Sequence, residues 1–209
     1  MEEYQHLRVT QEGGIVTAAL NRPEARNALN PRLMQELTEF ARAYRSRADV
    51  RAIVLCGAGD FFSAGADLSA STDARRAANP SLLELREAVL AGPDLCKAWE
   101  EIEAVTIVAI EGYCIGGACA LAAACDFRIM GEGASMRLPE VPLGINMSWR
   151  SAPRLVSLIG PARAKRLVMF GESVNAETCV SWGLADELTS KGKAYEAARA
   201  WADKVAALP

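Results

Sequence analysis

The chain is poor in the residues that bind metals and span membranes. It has one histidine, His6, and its six cysteines (56, 96, 114, 119, 125 and 179) form no Cys-x-x-Cys pair, so a zinc centre has little to be built from. The cysteines read as buried free thiols of a reducing compartment. The longest uncharged stretch in the centre runs from Gly112 to Cys125 and contains three glycines. It is shorter than the roughly 18 apolar residues a membrane helix needs. The start, Met1-Glu2-Glu3-Tyr4, is acidic and has no signal-peptide pattern, which sets the expectation of a cytoplasmic protein. There is no cationic excess: 23 Lys and Arg against 26 Asp and Glu give a net charge of −3, with the basic residues scattered. That excludes a nucleic-acid footprint, though not a small phosphorylated ligand held by two or three cations. Aromatics are few, at 6%.

What is present is ordinary for a folded domain: 51% hydrophobic and 23% charged residues over 209 positions, long enough to bury a core without staples. The pattern predicts a hairpin over 7–20 with its turn at Gly13-Gly14. Asn30 is expected to cap a helix begun by Pro31, with Leu33, Leu37, Phe40, Ala41 and Tyr44 on one stripe. Near-continuous apolar runs at Val50–Leu55 and Val105–Ile110 predict strands buried on both faces. Ala77–Ser81 reads as a polar surface loop. A helix is expected over 82–103, with an interruption at Gly92-Pro93 and with Leu85, Val89, Leu95, Trp99 and Ile102 as core candidates. A short Ala-rich helix follows over 118–124 and a short strand over Phe127–Met130. Further helices are expected at 161–170, 176–182 and from 192 to the end. The recurrence of strand, Gly-rich loop and helix gives an α/β (α+β) class.

Two junctions of that kind are candidates for chemistry. Phe61-Phe62-Ser63-Ala64-Gly65-Ala66-Asp67-Leu68 follows the first buried strand, and Gly112-Tyr113-Cys114-Ile115-Gly116-Gly117-Ala118 follows the second. Small residues there let a ligand approach the main chain, and a helix start leaves N–H groups unpaired. Side by side they can aim two N–H groups at one oxygen, as in an oxyanion hole. Each alone is more often a tight packing turn, and neither has the glycine spacing of a nucleotide loop. Glu140, between Pro139 and Pro142 in an apolar loop, is either a loop-end hydrogen-bond acceptor or a base with a raised pKa.

Several ordered segments make the chain, from about Leu7 to Leu208, resemble the enoyl-CoA hydratase/isomerase (crotonase) superfamily. They are Asn21-Arg22-Pro23 with Asn27-Ala28-Leu29-Asn30, Phe62 to Leu68, Val108 to Gly112 through Gly116-Gly117, Cys125 to Ile129, Pro139-Glu140 with Leu143-Gly144, and Trp182 to Asp186. The resemblance implies a single domain over 1–209, a crotonase-like spiral of ββα turns over about 1–185. The helical segment, about 186–209, is shorter than usual for the family and reads as truncated. It implies an acyl-CoA thioester substrate, coenzyme A as part of that substrate, no other cofactor, and a homotrimer or dimer of trimers. The N–H groups of Ala66 and Gly117 would hold the thioester oxygen. Arg22, Ala64, Ala66, Asp67 and Leu68 would lie along the coenzyme A groove. Glu140 matches one of the two glutamates of the family's hydratases, while Ala120 stands where the other would be. One carboxylate suffices for moving a double bond from the 3- to the 2-position, so an isomerase is expected, with a hydratase as the alternative. A non-catalytic acyl-CoA-binding or assembly protein is the further alternative, separated from the others by whether Glu140 faces a pocket. Met34, Leu82, Met147 and Trp149 are candidates for an acyl pocket, or for the core.

Overall fold

The computed structural model describes residues 4–67 and 80–209. Leu68 and residues 77–79 of the expected polar loop lie outside that range. The hairpin forms as expected: β1 (Leu7–Glu12) and β2 (Ile15–Leu20) pair antiparallel, Leu7 opposite Leu20 and Glu12 opposite Ile15. Helix α1 (Pro31–Tyr44) begins where its signals place it, with the Asn30 side chain accepting from the Leu33 N–H at 2.8 Å. Strand β3 (Ala52–Gly57) is set two residues later than expected, because its pairing with β2 starts at Ala52 opposite Ile15.

Helix α2 (Leu82–Glu100) starts on a reciprocal cap between Ser81 and Glu84, so Ser81 is a cap rather than loop. It is not interrupted at Gly92-Pro93. The proline forfeits one intrahelical bond. Gly92 has a packing role: a Cβ there would come within 2.4 Å of the Trp149 indole. Burial begins at Gly92, and the earlier turns stand clear of the core. Leu85 and Val89 are 39% and 55% exposed and are not core residues, whereas Leu95, Trp99 and Ile102 are.

The next units are β4 (Val105–Ile110), β5 (Tyr113–Ile115), α3 (Gly117–Ala122), β6 (Phe127–Gly131) and β7 (Ser135–Arg137). The span α4 (Ala152–Phe170) holds two helical pieces, the second of which is the helix expected over 161–170. Gly160, at φ +74° and ψ 164°, is non-helical and separates the two pieces, so Pro161 opens the second one as expected, while the first lies outside the sequence reading. Strand β8 (Val174–Asn175), α5 (Ala176–Trp182), β9 (Glu187–Thr189) and α6 (Ala194–Ala206) complete the order.

Six strands form one sheet in the order β1-β2-β3-β4-β6-β9, parallel after the first pair, and β5-β7-β8 form a second. Bridges between Leu29 and Ala66 and between Ser63 and Cys114 extend the second sheet. Each long-sheet strand from β3 to β6 is thus followed by a short extended piece in the second sheet. The result is a spiral of two-strand turns. Val16, Ile53, Leu55, Val108 and Ile110 point into the main core beneath α1–α5. Ile15, Val54, Ile107 and Ile129 point the other way, and α6 covers them with its Ala194, Ala198 and Ala202 stripe.

Candidate active site

The two Gly-rich junctions lie against each other through their main chains. The Ser63 N–H donates to the Tyr113 carbonyl at 2.9 Å, and the Ile115 N–H to the Ser63 carbonyl at 3.2 Å. Gly65, at φ +85°, packs on the Ile115 carbonyl so closely that a Cβ would sit 2.3 Å from its oxygen. On the other side of this strand the Leu29 N–H donates to the Gly65 carbonyl and the Asp67 N–H to the Leu29 carbonyl. Strand geometry therefore turns the intervening Ala66 N–H away from Leu29, toward the β5 side. There Gly117 opens α3, where its N–H has no acceptor within the helix. Among the described residues neither the Ala66 nor the Gly117 N–H has an acceptor.

Both residues line a cavity of about 680 Å³. Ala64, Asp67, Ala120 and Glu140 share its wall. Glu140 is held beside Gly116, the φ +56° residue whose missing Cβ leaves room: a Cβ there would lie 2.9 Å from the Glu140 Oε1. The Glu140 Oε2 is buried, and among the described residues it has no hydrogen-bond partner. Burial pushes the Glu140 carboxyl above the ordinary glutamate range, with a main-chain hydrogen bond opposing.

Arg22 is not on the wall. Its guanidinium donates to the Ala28 carbonyl at 2.6 Å and pairs with Asp67 at 3.2 Å, behind the cavity-lining segment. The motif residue Asn27 is fully buried and accepts from the Arg22 N–H while donating to the Ala58 and Phe61 carbonyls, so it anchors the first junction. Leu68 lies outside the described residues. Met34, Met147 and Trp149 line the cavity and also pack on the core, but Leu82 is 86% exposed and belongs to neither. The Trp149 indole lies between Gly92 and Gly117 and would collide with a Cβ at either. Cys119 faces away, its thiol against the Cys114 and Arg137 carbonyls. Sequence reasoning missed Ser151, which lines the same cavity at 1% exposure. A serine ahead of a helix looks like any cap, and nothing local marks it otherwise.

Among the described residues no helix is long and apolar enough to cross a membrane. The family model for enoyl-CoA hydratase/isomerase matches residues 10–209. The chain is 33% identical to the crotonyl-CoA hydratase of Syntrophomonas wolfei over 88% of its length and 69% of that protein's. It is 32% identical to the 2,3-dehydroadipyl-CoA hydratase of Escherichia coli, over 96% and 75%. Among solved structures, Pseudomonas aeruginosa DspI superposes with a TM-score of 0.91 at 31% identity, covering 100% of this chain and 78% of that one. The enoyl-CoA hydratase of Bacillus anthracis gives 0.88 at 33% identity, over 97% and 77%.

Proposed function

Since the chain belongs to the enoyl-CoA hydratase/isomerase family and has its crotonase fold, we propose that it converts 3-enoyl-CoA to 2-enoyl-CoA thioesters with Glu140 as the single acid and base. The observation that carries this reading is a carboxylate, its Oε2 buried without a partner among the described residues, on the wall of a cavity that is also lined by the two residues whose main-chain amides lack acceptors. The Glu140 carboxylate takes a proton from the α-carbon. The released electron pair moves onto the thioester oxygen, which accepts hydrogen bonds from the Ala66 and Gly117 N–H groups. Glu140, now protonated, returns that proton at the γ-carbon, and the double bond lies between the α- and β-carbons. Ala64 and Asp67 flank the entry of the coenzyme A moiety, with Arg22 fixing Asp67 from behind. The inward placement of Glu140 also argues for an enzyme over a binding protein.

A second reading, addition of water to a 2-enoyl thioester, is favoured by the names of the relatives, which are hydratases. Feeding 3-enoyl-CoA and 2-enoyl-CoA separately to one preparation distinguishes them. The isomerase reading expects the 3-enoyl ester to be consumed, and Glu140→Gln to lower that rate by roughly 10²-fold or more while the ester still binds. Activity retained in Glu140→Gln would remove Glu140 from its role.

A further inference from the structure

The relatives are named for hydration, yet the position expected to carry a second carboxylate is Ala120, a methyl group on the cavity wall. Water addition needs a second group to hold the water, because a molecule in a buried site requires at least two polar partners. Among the described residues, two side-chain oxygens are buried without a partner, Glu140 Oε2 and Ser151 Oγ, and both residues line this cavity. Asn146 and Ser148 also line it, but from more open positions.

Ser151 is unusual for its place. It is the N-cap residue of α4, where a serine side chain ordinarily accepts from the first turn of the helix. Its backbone is instead in the helical region, at φ −80° and ψ −18°, and the hydroxyl makes no cap bond. An unpaired buried hydroxyl destabilises a fold, so packing alone does not account for a serine at this position.

We propose that Ser151 and Glu140 together hold a water against the β-carbon of a 2-enoyl thioester, giving the site a hydration activity without a second glutamate. This rests on the assignment of Glu140 as acid and base. The water donates one hydrogen to the Glu140 carboxylate and the other to Ser151 Oγ, leaving a lone pair for the β-carbon. As the C–O bond forms, the first proton passes to Glu140 and the electron pair of the double bond moves onto the thioester oxygen. Glu140 then delivers that proton to the α-carbon. One water is added across the double bond, with no net proton taken up and no other reactant. A neutral hydroxyl does this without the mutual repulsion of two carboxylates in one apolar pocket.

The test compares both reactions in parent, Ser151→Ala and Ser151→Thr, with thermal melting alongside. The expected result is 3-hydroxyacyl-CoA from the parent. The ratio of hydration to isomerisation should fall roughly tenfold in Ser151→Ala, as for one lost hydrogen bond to the attacking water, and recover in Ser151→Thr. Ser151→Ala should melt at the same temperature as the parent or higher, since it deletes an unpaired polar group. An unchanged ratio in Ser151→Ala, or a parent that isomerises but never hydrates, overturns the proposal and leaves the isomerase reading standing. A parent inert toward both esters overturns that reading as well.

Discussion

The proposed reaction places its acid and base in one side chain, Glu140, whose protonation would link activity to stability. Its carboxyl is held above the ordinary value by burial, so the protonated form is favoured in the folded state. The stability it contributes is therefore fully present below the unfolded carboxylate range, near pH 4. It is lost as pH rises through the higher folded value. Glu140→Gln should consequently melt above the parent at about pH 7.5 and match it near pH 4, which a pair of thermal melts would check. The acid limb of turnover, where the base must be ionised, should lie above the usual glutamate range. Gly116 guards the same carboxylate. Gly116→Ala places a Cβ beside Glu140 Oε1 in a positive-φ conformation. It should cost about 1–3 kcal/mol in denaturant unfolding and lower turnover with it, since the Glu140 side chain must give way.

At the scale of elements, legibility followed the locality of the signal. Helix α1 and helix α5 each start on an asparagine whose side chain accepts from the amide three residues on, and such signals are contained in four consecutive residues. The short strands β5, β7 and β8 have three residues or fewer. Their pairing is set by partners as far apart as Ser135 and Asn175, which no local period reports. Gly92-Pro93 misled, whereas Pro161 marked a true helix start. In α4 the non-helical Gly160 separates the piece that Pro161 opens from an earlier one, and in α2 the helix runs through Pro93 with Gly92 packed on the Trp149 indole. The same holds for the site. Glu140 and the two Gly-rich junctions stood out as local oddities, whereas Ser151 becomes notable only once its empty hydrogen-bond valences and the cavity are known. The cap of α2 gives an element-level prediction: Ser81→Ala removes the hydroxyl that accepts from the Glu84 N–H and donates to its carboxylate, leaves the main-chain bond from the Ser81 N–H to that carboxylate, and should cost about 1 kcal/mol. Faster amide exchange in the first turn of α2 should accompany it.

For the molecule as a whole, α6 is the element on which one entire sheet face depends. Its alanine stripe is fully buried against Val54 and Ile107. Its first amide donates to Glu111 at 2.9 Å, and its Trp201 donates to Glu187 at 2.7 Å. Ala198→Leu forces three extra carbons into that seam and should cost about 1–3 kcal/mol, seen as a lower urea midpoint. The strand order places β2, β3, β4, β6 and β9 side by side in the order in which they are made. The sheet can thus grow strand by strand as the chain leaves the ribosome, one edge always open to the next arrival. The cover for its far face comes last. Between emergence of β3 and emergence of α6, more than a hundred residues later, Ile15, Val54 and then Ile107 face water or a chaperone instead of a helix. At roughly 5–20 residues per second that window lasts on the order of ten seconds, and nascent chains stalled before α6 should be the form that chaperones retain.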